Sequence, residues 1–254
     1  MVDVYIQILV QIITESLPIS SSGHVALLER VLGLVPLSDM VEHAMHLPTA
    51  CVLPLLFKRE LIELYAAFKK APQNIIVWGL LIGLADSITG LCYLLFKYYK
   101  PTWFPLSVGF GITALLLVSL RFIAPGSRTQ LTYYEAALLG LIQGIALLPG
   151  ISRFAATFVA GRLMGMNTRY ALFTSFAVQW PLLLAAGSVG VGKLLYTYSE
   201  SLFSYETALM LVTVVGSTVA SYYIFKAVFA LAEKNSVWLF GIYMIIPLLL
   251  ALTI

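Results

Sequence analysis

Long apolar blocks separated by short polar breaks dominate this chain. Six blocks, at about 42–57, 74–96, 104–124, 170–192, 205–225 and 236–254, approach or reach the roughly 20 apolar residues that a helix needs to cross a bilayer. The breaks have distinct characters. Lys58-Arg59-Glu60 through Lys69-Lys70 reads as a charged, amphipathic link. Lys97-Tyr98-Tyr99-Lys100-Pro101 reads as a turn with interfacial aromatics, and Pro125-Gly126-Ser127-Arg128 as a second turn. Two further segments, 3–33 and 135–165, are apolar but interrupted midway, by Leu17-Pro18-Ile19-Ser20-Ser21-Ser22-Gly23-His24 and by Leu148-Pro149-Gly150-Ile151-Ser152-Arg153. Proline removes a backbone donor and breaks a helix. Broken backbone at membrane depth survives only where protein or a wet cavity satisfies it. The pattern therefore predicts an all-α integral membrane protein with six spanning helices and two re-entrant helical hairpins.

Composition agrees. Of 254 residues, 60% are hydrophobic and 11% charged, with a mean hydropathy of +0.94. A soluble domain is about 25% charged. The net charge of +3 gives no case for nucleic acid as a partner. Cys51 and Cys92 lie in apolar stretches without metal or disulfide spacing. The start, Met1-Val2-Asp3-Val4, lacks the basic region of a cleaved signal peptide.

The two interrupted segments match at a constant offset of 132: Asp3 on Glu135, Gln11 on Gln143, Ser20 on Ser152, Arg30 on Arg162 and Gly33 on Gly165. This suggests one membrane domain over 1–254 built as a duplication, repeat A over 1–124 and repeat B over 134–254. Three spans lie between the hairpins, so the repeats are expected in inverted topology, an architecture whose sites lie at the midplane. On this topology Lys58, Arg59, Lys69, Lys70, Arg121, Arg128, Arg169, Lys226 and Lys234 share one side, and Lys97, Lys100 and Lys193 the other. The positive-inside rule puts the first side in the cytoplasm and the first hairpin outward.

Charge inside a membrane points to function. Gln11 and Glu15 are four apart on one helix face, followed by three serines and His24; Ser152, Arg153 and Thr157 occupy the other break. Glu15 can handle protons, a serine or His24 can serve as nucleophile, and Arg153 offers a planar donor fork for phosphate oxygens. Backbone N–H groups at the breaks can cradle an anion. Together these describe phosphoryl chemistry. His43 and His46 read as structural, and Arg30 and Arg162 as side chains that snorkel from hairpin ends.

At these residues the chain resembles the undecaprenyl pyrophosphate phosphatase, or bacitracin-resistance, family. Gln11-Ile12-Ile13-Thr14-Glu15 and Ser20-Ser21-Ser22-Gly23-His24 are similar to its first motif, and Pro149-Gly150-Ile151-Ser152-Arg153-Phe154-Ala155-Ala156-Thr157 to its second. Gly161-Arg162-Leu163-Met164-Gly165-Met166 and His46 with Thr49 also look like the family, which usually has Gly where this chain has Pro48. The resemblance implies hydrolysis of a C55 polyprenyl diphosphate to the monophosphate, recycling the lipid carrier of cell-wall synthesis. It implies a multi-pass protein of the bacterial inner membrane, with the site facing outward, and a homodimer. Ser21 would be the nucleophile, with His24 as the alternative, and Glu15 and His24 would handle protons. Arg153, with Gln11, Ser20, Ser22, Gly150, Ser152 and Thr157, would hold the diphosphate. A divalent cation, magnesium or calcium, would sit on Gln11 and Glu15. Departures are Gln at position 11, which the motif allows, Ser22 where Thr is common, and Phe154-Ala155 where Ser-Gly is frequent. A bulky Phe154 beside the phosphate fork narrows substrate entry.

Two other classes compete. A polyprenyl-lipid transporter or flippase also suits inverted repeats, but does not need acid, serine, histidine and arginine together. An inactive lipid-binding homologue would have Phe154 as its signature. A type 2 phosphatidate phosphatase is excluded by Val159, where that class needs histidine.

Overall fold

The computed structural model describes residues 2–71, 73–99, 103–124, 126–197 and 205–254. Among them are thirteen helices and no β-strand. They are α1 (Val2–Glu15), α2 (Ser21–Leu32), α3 (Asp39–Ala44), α4 (His46–Leu56), α5 (Lys58–Lys70), α6 (Gln73–Tyr99) and α7 (Leu106–Ser119). The second half holds α8 (Tyr133–Ile145), α9 (Arg153–Leu163), α10 (Thr168–Thr197), α11 (Tyr205–Glu233), α12 (Leu239–Tyr243) and α13 (Ile245–Leu252).

The six apolar blocks do not become six equal spans. Three helices, Ile75–Tyr99, Thr168–Thr197 and Thr207–Glu233, are long and apolar enough to cross a membrane, or up to four with the bent pair Asp39–Leu56 and Lys58–Ala67. Leu106–Ser119 and Leu239–Leu252 are shorter apolar helices. Proline explains two of the breaks. Pro48 and Pro247 lack the N–H that would bond the carbonyl four residues back, at Ala44 and Tyr243. The chain accordingly breaks at Met45, between α3 and α4, and at Met244, between α12 and α13. The charged link is helix α5, which leaves the α3–α4 segment at 65°. Of the expected turn at 97–101, residues through Tyr99 continue α6; Lys100 and Pro101, like Pro125 of the next turn, lie outside the described residues.

The apolar surface faces outward as well as inward. Leu80, Leu91 and Leu94 of α6 and Leu211, Val212, Val215 and Val219 of α11 are exposed. Such a belt needs lipid around it. Inside, Phe57, Phe154, Phe158, Phe173, Phe176 and Phe225 form the centre of the main core.

Both interrupted segments fold as helical hairpins, α1–α2 and α8–α9. Ser20 and Ser152 cap α2 and α9, each side chain accepting from the N–H three residues on, of Gly23 and Ala155. Gly33 and Gly165 both turn the chain out of the hairpin with positive φ, 64° and 79°. The hairpins pack on each other's halves: α1 lies against α11 and α8 against α6. Thr89 of α6 donates to Gly140 O at 2.9 Å and accepts from Gln143 at 3.1 Å. Ser221 of α11 meets Ser16 at 2.5 Å.

Arg30 is exposed at its hairpin end. Arg162 is not: it is 4% exposed. Its guanidinium donates to Thr168, to Asn235 Oδ1 at 3.3 Å and to Ala124 O at 3.4 Å. These acceptors come from the rim around the buried side chain and take up its two terminal nitrogens, while Nε stays buried without a partner.

Candidate functional site

The two hairpin breaks meet at their tips. A Cβ added to Gly23 would lie 2.9 Å from Gly150 Cα and 2.8 Å from Phe110 Cε1. Only glycine permits that approach. Gly150 also has φ 83°, a conformation other residues adopt only with strain. Thr113 of α7 fixes this second tip: its hydroxyl donates to Gly150 O at 2.8 Å and accepts the Ser152 N–H at 2.9 Å. The first tip stores strain of its own, since Ser20 caps α2 with φ 67°.

A small polar cavity opens where the tips meet, lined among others by Glu15, Ser21, Ser22, Thr49, Ser152 and Arg153. Two helix N-termini, those of α2 and α9, start at its wall. Their first N–H groups have no intrahelical acceptor, and their dipoles favour an anion there.

Glu15 ends α1 and is held by partners from other elements. Its Oε1 takes a hydrogen bond from His46 Nδ1 at 2.5 Å, and Thr49 donates to Oε2 at 2.7 Å. Arg153, the first residue of α9, approaches Oε1 only to 3.9 Å. That is too long for a good hydrogen bond, so most of the guanidinium fork remains uncommitted. Ser21 Oγ accepts from Gln11 Nε2 at 3.4 Å. The Gln11 Oε1 atom is buried without a partner.

The sequence-predicted residues divide into groups. Glu15, Ser20, Ser21, Ser22, Ser152 and Arg153 line the cavity, and Gln11 reaches it through Ser21. Thr157 sits beneath. It donates to the Arg153 carbonyl at 2.7 Å and takes the Ser175 hydroxyl at 2.6 Å, fixing the backbone that carries the arginine. Gly150 shapes the turn. His24 points elsewhere. Its Nδ1 bonds the Ser20 carbonyl at 2.8 Å, so that nitrogen carries the proton, and Nε2 meets Tyr243 Oη at 3.1 Å. The ring stacks on Tyr243 and meets Phe110 edge-on. The imidazole bonded to Glu15 belongs instead to His46, expected to be merely structural. The signal that finds it is the His46-x-x-Thr49 spacing, which puts both side chains on one face of α4. Phe154 is 3% exposed and lies against Phe176 at 4.5 Å. It is an apolar floor of the cavity, anchored in the core.

Among the described residues no group of three or more His, Cys, Asp or Glu is placed to hold a metal ion. The donors present are nevertheless those a hard cation takes: the unpartnered Gln11 amide oxygen and, one turn on, the Glu15 carboxylate. Gln11 does not itself line the cavity, and both Glu15 oxygens already accept hydrogen bonds, from His46 and Thr49.

Comparison with known proteins follows the same lines. The family model described as "Bacitracin resistance protein BacA" matches residues 4–249. Undecaprenyl-diphosphatase 1 of Shouchella clausii is 32% identical over 201 residues, 74% of this chain and 73% of the relative. The undecaprenyl-diphosphatase of Carboxydothermus hydrogenoformans is 29% identical over 244 residues, covering 92% and 90%. That of Thermotoga maritima is 31% identical over 223 residues, covering 84% and 89%.

Proposed function

Since the chain belongs to the bacitracin resistance protein BacA family, we propose that it hydrolyses undecaprenyl diphosphate to the monophosphate and inorganic phosphate. The reaction returns the lipid carrier to cell-wall synthesis and confers bacitracin resistance. One observation carries the reading: Glu15, Ser21 and Arg153, from three different helices, face one cavity at the N-termini of α2 and α9.

In the mechanism, Arg153 and the helix N-termini bind the terminal phosphate and stabilise the charge that grows on it. Ser21 Oγ attacks that phosphorus. The new Oγ–P bond forms as the anhydride P–O bond breaks, and the lipid monophosphate leaves. The serine proton passes to the Glu15–His46 pair, which returns it when water cleaves the phosphoserine and releases inorganic phosphate. Ser21 is preferred over His24 because it lines the cavity while His24 is turned to Tyr243. Gln11 and Glu15 would hold magnesium or calcium, whose role is to neutralise diphosphate charge.

The topology belongs to the same proposal. Six segments cross the bacterial inner membrane, α7 and α12–α13 as short crossings, in two inverted repeats. The matched caps Ser20 and Ser152 support this, as do the exit glycines Gly33 and Gly165. The offset of 132 also sets Thr89 on Ser221, and each contacts the other half's hairpin. The site opens to the outer face, as the distribution of basic loop residues favours. The chain acts as a homodimer.

Phosphate release from undecaprenyl diphosphate by the purified chain, with Ser21→Ala and His24→Ala beside it, tests the scheme. Ser21→Ala is expected to abolish turnover and His24→Ala to leave part of it. Retained turnover in Ser21→Ala with none in His24→Ala transfers the nucleophile's role to the histidine. No release by the folded wild type removes the function itself.

A further inference from the structure

A second cavity of about 360 Å³ lies between α4, α5, α6 and α10, and its lining is almost wholly apolar. Its size falls in the range, about 300–1,000 Å³, of cavities that hold small organic ligands. It is separated from the polar cavity by one shared wall residue, the buried Phe176. The Phe176 ring sits 4.5 Å from Phe154 on the polar side and 5.7 Å from Phe57 on the apolar side.

The two cavities share a seam. On α4 and its C-cap, His46, Thr49, Leu53 and Phe57 recur at spacings of three and four and so form one stripe. Its upper half binds Glu15 and its lower half lines the apolar cavity. From Thr49 to Phe57 the stripe descends about 12 Å at 1.5 Å per residue. On α10, Gln179 lines the polar cavity and Phe173 the apolar one, with Phe176 between. The wall is built and fastened. Pro54 leaves the Ala50 carbonyl without its helical donor, and Trp180 Nε1 supplies the bond across the seam at 2.8 Å.

We propose that this apolar cavity binds the first isoprene units of the polyprenyl tail while the diphosphate occupies the polar cavity. The inference rests on the phosphatase reading above. A diphosphate lipid joins a multiply charged head directly to an apolar chain, and a chamber for each lies on either side of the Phe176 ring in the same order, so the tail enters as that ring turns aside. Substrates with a long prenyl tail are thereby selected over short diphosphates.

Gly79 of α6 lines the cavity, and a Cβ there meets nothing within 4 Å, so Gly79→Phe fills the chamber without a clash at its base. The test uses the full chain in detergent and an undecaprenyl diphosphate analogue with a diazirine on an isoprene unit near the head. Photolabel is expected on residues 75–82 and 173–181, displaced by undecaprenyl diphosphate and not by dioleoyl phosphatidylglycerol. In Gly79→Phe the label is expected to disappear and kcat/KM for undecaprenyl diphosphate to fall about tenfold or more. Wild-type label confined to other segments overturns the proposal, as does displacement by the phospholipid, which marks a site for bulk acyl chains. Unchanged kcat/KM in folded Gly79→Phe also overturns it. Phosphate release measured on the same wild-type preparation keeps the outcomes apart. Absent turnover removes the phosphatase reading, whereas normal turnover with label elsewhere removes only the tail site.

Discussion

Gly23→Ala adds one methyl group where the two hairpin tips touch. That methyl would sit 2.8 Å from Phe110 Cε1, 2.9 Å from Gly150 Cα and 3.0 Å from Ser20 Oγ. Ordinary carbon contacts lie at roughly 3.5–4.0 Å, so the tips must part by about 0.6–1 Å. Neither neighbour yields cheaply: Phe110 is fully buried, and Gly150 is pinned through its carbonyl by Thr113. Overpacking of this kind costs about 1–3 kcal/mol, which a helical protein of this size tolerates. The larger consequence is geometric. Ser21 and Arg153 ride on the two tips, and a displacement of about 1 Å at a reacting centre lowers rates by about 100-fold. The assay is phosphate release from undecaprenyl diphosphate by purified Gly23→Ala, beside its thermal unfolding in the same detergent. The expected result is a cooperative transition a few degrees lower and kcat/KM down about 100-fold. Wild-type kcat/KM at an unchanged transition would refute the tip contact as the basis of the site.

Other outcomes follow from the same geometry. His46→Ala removes a hydrogen bond to the Glu15 carboxylate worth about 1.5–3 kcal/mol and leaves Thr49 as the remaining donor to it. It is expected to lower kcat/KM about 10- to 100-fold, and an unchanged value in steady-state assays would return His46 to a structural role. Chelation by EDTA is expected to suppress phosphate release and added magnesium or calcium to restore it, with Gln11→Leu needing more cation for half-maximal rate. Full turnover in excess EDTA would contradict the assignment of Gln11 and Glu15 as cation ligands.

The hairpins were legible in the sequence because their signals are local. A proline, a capping serine and an exit glycine each act within a few residues: Ser20 and Ser152 accept the capping hydrogen bonds and Gly33 and Gly165 take positive φ, although the strained φ of Ser20 was not announced. The pairing of Glu15 with Arg153 was legible through motif resemblance. The role of His46 was less so, because it comes from an apolar helix 31 positions after Glu15, where hydrophobic pattern masks a polar face. Burial of Arg162 depends on acceptors from three separate segments, which spacing does not announce. Hydropathy located the blocks containing Pro48 and Pro247 but not the breaks within them, since it counts a proline's carbons and not its missing N–H. Phe154 looked obstructive beside the arginine in sequence; the cluster with Phe158 and Phe176 draws its ring into the core.

The central claim is that the two breaks form one phosphate site with Arg153 as its clamp. Phosphate release from undecaprenyl diphosphate by the wild type and by Arg153→Ala, both shown folded by matching thermal transitions, tests it most directly. The account predicts turnover in the wild type and a loss of at least about 100-fold in the variant. Comparable turnover in both proteins would contradict it.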